Sequence, residues 1–362
     1  GTKSVGKTTM MLQYIKLNYK LLDRQVLYVS CEDKYFSNHS LLSLAEQFYL
    51  NGGRHLFLDE VHKYDDWSNE IKEIYDFYPT MRVVLSGSSL LSMTEGDADL
   101  ARRCINHDIQ GLSFREFLHF YKGIKMPVYP LEQVLENPAP LIEEMNKHGR
   151  PIALLKEYLK YGYYPYYLNN ETDYHIAIQQ VVNKIIDIEL PRICGVDLNN
   201  TRKIKSLLTI LCASVPFQVD ITKLATQSGL KRDTIINYLS YLDKAKLIRL
   251  LYSDLKNIKR MQKPDKIYID NTNLLNAWAT APIQIGTIRE TFVANQLSVN
   301  HVVEFRKTNG DFLVDSKYTF EVGGDDKDFQ QIANVADSFI LADDMETAIG
   351  KKLPIWVVGF DY

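Results

Sequence analysis

The first eight residues, Gly1-Thr2-Lys3-Ser4-Val5-Gly6-Lys7-Thr8, restrict the fold more than any other stretch of the chain, because they complete the pattern G-x-x-x-x-G-K-[ST]. Each element of that pattern has a separate physical task. The glycines let backbone N–H groups close around phosphate oxygens, Lys7 reaches the β- and γ-phosphates, and the Thr8 hydroxyl is placed to ligate Mg²⁺. Thr9 to Leu17 read as a helix whose positive N-terminus faces the same phosphates. The nucleotide-binding set to expect is therefore Gly1, Thr2, Lys3, Ser4, Val5, Gly6, Lys7, Thr8 and Thr9. Such a loop is launched by a buried strand. None precedes Gly1 in the sequence, and the chain is read as a piece whose first strand belongs to a preceding segment.

Up to about Lys122 strands and helices alternate. Gln25 to Ser30, His55 to Asp59 and Arg82 to Ser86 read as short buried parallel strands. Trp67, Ile71, Ile74, Tyr75 and Tyr78 recur at helical spacing between the last two. That alternation predicts a three-layer αβα sheet. The second strand ends in Asp59-Glu60. The expected roles are separate: Asp59 holds Mg²⁺, and Glu60 orients and deprotonates the attacking water. The third strand runs into Ser86-Gly87-Ser88-Ser89, where a hydroxyl can meet the γ-phosphate or the water. Ser88 is the first choice and Ser86 the second. Arg102 and Arg103 follow, as candidates to stabilise charge on the transferring phosphoryl group in this copy or a neighbour's.

Composition bounds the rest. The chain has 362 residues, 46% of them hydrophobic, enough for several cores, and its net charge of −3 excludes neither nucleic-acid nor protein partners. Cys31, Cys104, Cys194 and Cys212 lie far apart and form no zinc spacing, so reduced thiols in a cytoplasmic protein are expected. No apolar run approaches the roughly 18 residues that span a membrane, and no leader segment is visible.

Four domains are expected: a phosphate-loop ATPase domain at 1–122, a helical linker or lid at 123–206, a winged helix-turn-helix at 207–262, and a nuclease-like α/β domain at 263–362. Within the linker, the tyrosine-rich run from Tyr158 to Tyr167 reads as a packed cluster at an interdomain contact; a surface that stacks nucleic-acid bases is the alternative. Asp220 to Leu242 read as helix, Gly229 turn, helix, with a wing beginning near Lys244. Lys231, Arg232, Thr234 and Asn237 fall on the exposed face of the second helix, where DNA would be met. Asp233 and Asp243 dilute that charge, and a protein-binding role stays open.

Several of these runs together carry a resemblance. Gly1 to Thr8, Leu56 to Glu60, Leu85 to Leu90, Gly111-Leu-Ser-Phe-Arg-Glu-Phe-Leu118 and the Tyr158 to Pro165 segment are similar to AAA+-type ATPases of bacteria and archaea with a C-terminal domain of unknown function. The resemblance implies ATP binding with Mg²⁺ and hydrolysis. It supplies no physiological substrate. The last domain resembles the PD-(D/E)XK nuclease fold, which implies that Glu290, Asp311 and Glu321 gather as an acidic, weakly metal-binding cluster. That pattern places a lysine two residues after the last acid, and Gly323 stands there instead. Cleavage is not expected, a lysine restored at 323 is expected to be tolerated, and Lys327 is not expected to take its place. Two functions stay open: an ATP-driven machine or switch acting on DNA, and a nucleotide-controlled protein-interaction switch, with a protein partner or a homo-oligomer as its expected company.

Overall fold

The computed structural model describes residues 4–20, 22–88, 100, 102–166, 173–213, 217–218, 220–253 and 263–362. Gly1, Thr2, Lys3 and Ser89 lie outside these. Two compact units are present: Gly1–Gln110 together with Ile188–Val196, and Gly111–Asp187 together with Asp197–Tyr362.

The first unit runs α1 (Lys7–Asn18), β1 (Val26–Ser30), α2 (Leu41–Leu50), β2 (His55–Asp59), α3 (Trp67–Phe77) and β3 (Arg82–Leu85). The strands form a parallel sheet in the order β1-β2-β3. Central β2 is a continuous apolar run because it is covered on both faces: Leu56, Phe57 and Leu58 are all buried. Helix α2 begins at Ser40, whose hydroxyl accepts from Ser43 N at 3.0 Å. Its Leu41 and Ala45 join Ile71 and Ile74 of α3 and Leu56 and Leu58 in one core. A buried Leu or Ile there contributes roughly 1.5–3 kcal/mol. The helical spacing read from the sequence is the face of α3 that enters this core; Tyr75, by contrast, is half exposed.

The second unit holds α4 (Phe114–Lys122), α5 (Leu131–Glu136), α6 (Ala139–Asn146), α7 (Pro151–Tyr161) and α8 (Tyr174–Lys184). A π-helical turn, Ile185–Glu189, leads into α9 (Leu190–Cys194). There follow α10 (Leu198–Ala213), β4 (Phe217–Gln218), α11 (Ile221–Ser228), α12 (Arg232–Lys244), β5 (Ile248–Leu251) and β6 (Lys266–Ile269), the strands forming an antiparallel sheet in the order β4-β6-β5. Last come α13 (Thr272–Trp278), α14 (Ile285–Leu297), β7 (Val303–Phe305), β8 (Phe312–Val314), β9 (Tyr318–Gly323), β10 (Ser338–Ala342) and β11 (Lys352–Pro354). These five strands lie in the order β11-β10-β9-β8-β7, parallel from β9 to β11 and antiparallel from β7 to β9.

One apolar core joins Phe114, Phe117 and Tyr158 of the helical part to Phe292, Phe312, Phe320, Trp356 and Phe360. The segments expected at 123–206, 207–262 and 263–362 thus contribute to the same unit, apart from Ile188–Val196, and α4 belongs with them rather than with the first unit. The Leu-Ser-Phe-Arg-Glu-Phe run has a structural reason. Ser113 and Glu116 form a capping box on α4, while Ser113 Oγ and Arg115 Nε donate to the Tyr362 carbonyl at 2.9 and 2.8 Å.

The tyrosine run packs inside the second unit. Tyr158, Tyr163 and Tyr164 are buried, Tyr158 OH donates to Leu112 O at 2.7 Å, and Tyr174 OH donates to Asn273 Oδ1 at 2.5 Å. The ring of Tyr163 fills the space that a side chain at Gly111 would need, about 2.4 Å from a Cβ placed there. With their faces occupied, these three rings are closed to nucleic-acid bases, which removes the stacking alternative for them. Tyr167 lies outside the described residues.

Candidate functional site

The phosphate loop enters α1 through Gly6, which has φ 91° and no capping side chain over the helix's first turn. Glycine suits that backbone, and the uncapped N–H groups are the anion-binding end of the helix. Ser4 also has positive φ, 64°.

Thr8 and Asp59, 51 residues apart in sequence, meet: Thr8 Oγ1 donates to Asp59 Oδ2 at 2.6 Å. Tyr28 OH donates to the same oxygen at 2.9 Å, and Ser86 Oγ donates to Oδ1. The sheet register explains the convergence. Ser30 pairs with Asp59, so Tyr28, two residues back, stands on the same face; Ser86 follows Leu85, which pairs with Leu58. Burial raises the Asp59 carboxyl, but the three hydroxyls and a bond involving the Glu60 backbone outweigh it and hold the group below the usual carboxylate value. All three side-chain donors are neutral, so Asp59 keeps its negative charge. Hard oxygens from Thr8 and an ionised Asp59 are the donor set that Mg²⁺ takes. The reciprocal effect, burial first and Asp59 second, pushes the Tyr28 hydroxyl up to about 12. Tyr28 was not among the expected residues, although the period-two alternation of β1 carried the signal.

Glu60 turns out of the strand at φ 55°. Its N–H donates to Ser86 Oγ at 3.3 Å, and its carboxylate lies 3.5 Å from the Nε2 of buried His62. Asp59 and Glu60 therefore point their charges to different neighbours.

The serine nearest these carboxylates is Ser86. Ser88, the first choice, donates to Glu189 Oε2 at 2.9 Å. Arg103 is engaged on α3: its Nε and Nη2 donate to Asp76 at 3.1 and 3.0 Å, and its guanidinium lies over Tyr75. Arg102 is exposed. Arg192, which the sequence did not single out, donates to Asp65 Oδ1 at 2.6 Å, just beyond Glu60.

The second unit carries Glu290 on α14, Asp311 immediately before β8 and Glu321 on β9. Among the described residues, no group of three or more His, Cys, Asp or Glu side chains is arranged to hold a metal ion. Lysines take the negative charge instead. Lys266 Nζ and Tyr268 OH donate to Glu290 Oε2 at 2.6 and 2.5 Å. Lys327 Nζ pairs with Glu321 Oε1, and Gln331, with its amide nitrogen turned inward, donates to both Glu321 oxygens at 2.6 and 3.0 Å. Burial, then Glu290 and Glu321, push the Asp311 carboxyl up to about 6.

Two expectations are corrected here. Lys327 does reach Glu321, and its stem crosses the space above Gly323. A Cβ at 323 would lie 2.8 Å from Lys327 Cβ and Cγ, so a lysine there collides with the lysine already present.

Lys231, at the N-cap of α12, and Arg232 and Asn237 on the helix are exposed, and Thr234 is half-buried. Asp233 is exposed too, but Asp243 turns inward to accept from Leu250 N at 3.0 Å and does not dilute the charge of that face.

Residues 1–118 match the family model of an AAA domain. The match contains Lys7, Thr8, Asp59 and Glu60, and AAA domains as a class bind nucleotide and act as ATPases. Residues 152–283 match a second model, described as a domain of unknown function. The chain is also similar to the uncharacterized protein MJ1637 of Methanocaldococcus jannaschii, 25% identical over 361 residues, covering 92% of this chain and 76% of that protein. No solved structure matches. No helix among the described residues is long and apolar enough to cross a membrane.

Proposed function

We propose that this chain binds Mg·ATP and hydrolyses it, with Gly1 to Thr9 around the phosphates, Thr8 and Asp59 on the metal and Glu60 as the base. The observation that carries the reading is the 2.6 Å contact between Thr8 Oγ1 and Asp59 Oδ2, which brings the phosphate-loop hydroxyl to an ionised carboxylate with Glu60 beside it. Lys7 supplies phosphate charge and Glu60 supplies proton transfer, so their variants separate the two functions. Lys7→Ala loses ATP affinity, whereas Glu60→Gln keeps affinity and loses turnover by about 10²–10⁴-fold. Wild-type turnover in Glu60→Gln would refute the assigned base. Ser86 and Ser88 are the hydroxyls near the γ-phosphate. Arg102, exposed at the surface, suits a neighbouring copy in a homo-oligomer better than Arg103 does.

The hydrolysis drives a DNA-linked machine or switch in the cytoplasm. Exposed Lys231, Arg232 and Asn237 support the DNA contact, and the order β4-β6-β5 beside α10, α11 and α12 suits a winged helix. Reversing charge at Lys231 and Arg232 flattens the salt dependence of duplex binding by roughly one unit of slope per residue. Absence of duplex binding at low salt favours the second reading, a nucleotide-controlled protein-interaction switch. Exposed Asp233 on the same face supports that alternative. In both readings the nuclease-like domain does not cleave, because lysines rather than a metal neutralise Glu290 and Glu321. DNA cleavage by the unmodified protein that vanishes in Glu321→Ala would overturn this.

A further inference from the structure

The Asp59 carboxylate, 3% exposed, is held from three elements at once. Thr8 Oγ1 on α1 and Tyr28 OH on β1 donate to the same oxygen, Oδ2, at 2.6 and 2.9 Å. Ser86 Oγ, just beyond β3, donates to Oδ1. Tyr28 pairs across the sheet with Phe57, and such partners share a face. The Phe57 ring lies 6.0 Å from that of Tyr14 on α1. Tyr28 therefore stands on the face of the sheet that carries α1, the helix of Thr8.

The two donors to Oδ2 differ in kind. Thr8 belongs to the phosphate-loop helix, and on the reading that Thr8 and Asp59 hold the Mg²⁺ of Mg·ATP, its oxygen also serves the metal. Tyr28 belongs to the sheet, where Val26–Ser30 pairs with His55–Asp59 residue for residue. A carboxylate oxygen offers two lone pairs, and Tyr28 takes one of those on Oδ2 from a backbone fixed to that of Asp59. Partners one step removed from a metal orient its ligands and tune its affinity. We propose that Tyr28 is a positioning residue of the metal site: its hydroxyl holds Asp59 Oδ2 toward Thr8 and so sets how tightly Mg²⁺ is bound with the nucleotide. This rests on the ATP reading above and names a determinant of metal affinity within it. Ser86 is a poorer probe of the same effect. Its Oγ also accepts from Glu60 N at 3.3 Å, so its loss disturbs both acids. Tyr28→Phe removes one oxygen and keeps the ring. A hydroxyl that merely competed with the metal for Oδ2 would act with the opposite sign, and its removal would tighten Mg²⁺ binding.

Calorimetry on the intact protein tests this, with a non-hydrolysable ATP analogue titrated in excess Mg²⁺ and again in EDTA. The ratio of the two affinities measures what the metal adds. In Tyr28→Phe the affinity in EDTA stays at the parent's value and the ratio falls about 10-fold. In an Asp59→Ala background the same substitution leaves the ratio unchanged, because a positioning residue acts through the group it positions. A ratio that is unchanged or larger in Tyr28→Phe overturns the proposal and leaves the ATP site standing. So does an equal loss in Mg²⁺ and in EDTA, the mark of a merely structural tyrosine, and so does a fall in the ratio that is as large without Asp59 as with it. If no analogue binds to the parent under either condition and Lys7→Ala is indistinguishable from it, the ATP reading itself fails, and this proposal with it.

Discussion

Two carboxylate centres in this molecule are stabilised by opposite means. In the first unit Asp59 is surrounded by the hydroxyls of Thr8, Tyr28 and Ser86. In the second, Glu290 and Glu321 are paired with Lys266 and Lys327. Hydroxyls stabilise a carboxylate without cancelling its charge, so an attraction for a divalent cation remains. Ammonium groups cancel it, and a cation must then displace a lysine that already makes close contacts. A sequence-level pattern of acids is therefore not enough to identify a metal site; the sign and charge of the donors around each acid decide what it can hold.

The sharpest way to break the comparison is Asp59→Asn. It removes the charge the hydroxyls preserve, and Mg-dependent ATP turnover falls by about 10³-fold or more, while Glu321→Gln leaves turnover at the parent's value. Steady-state hydrolysis by both variants decides the matter; equal losses would mean that the two centres are not distinct in kind.

Next in size is Lys266→Met. Lys266 and Glu290 are 7% and 12% exposed, and removing one partner of a buried pair costs about 3–5 kcal/mol. Urea denaturation of the second unit should show that loss, and adding Glu290→Gln should restore most of it. A loss that persists in the double variant would show that Lys266 acts through packing rather than charge.

Gly323→Lys comes third. It overpacks the stem of Lys327 and destabilises by roughly 1–3 kcal/mol, a loss that Lys327→Gly in the same chain, which also removes the Cβ at 327, should relieve.

The smallest effect is Asp311→Asn. The Asp311 carboxyl is raised to about 6, above its ordinary value of roughly 3.9. Charging it thus costs the folded state, fully above pH 6 and not at all below about pH 4. The asparagine variant should be more stable than the parent at pH 7, and the advantage should vanish as pH falls to 4. An advantage that is the same at both pH values would exclude the cost of charging Asp311, from burial and then from Glu290 and Glu321, as its source.

Much of the first unit was legible from residue order. The phosphate-loop spacing, the apolar run ending at Asp59 and the helical recurrence of Ile71 and Ile74 are local patterns, and local backbone preferences and burial fix them with few long-range choices. The acids of the second unit came from a resemblance rather than from residue order alone: Glu290 stands on a helix, Asp311 just before β8 and Glu321 on β9, the elements on which the likeness to the nuclease fold expected them. What each acid faces was not legible. Tyr28 joined Asp59 because of the register between β1 and β2. Ser88 went to Glu189, 101 residues away, and Arg103 turned to Asp76 on α3.

The sequence by itself determined the parallel sheet of the first unit and the carboxylates Asp59 and Glu60 at the end of β2, because those depend on periodicity and on residue types a few positions apart. Only the tertiary structure decided that Lys327 covers Gly323 and that a nine-residue stretch beginning inside the π-turn belongs to the first unit. Those outcomes rest on contacts between side chains far apart in sequence. A flexible lysine reaches a carboxylate from any nearby backbone position, so its spacing in the sequence does not record where its charge ends up.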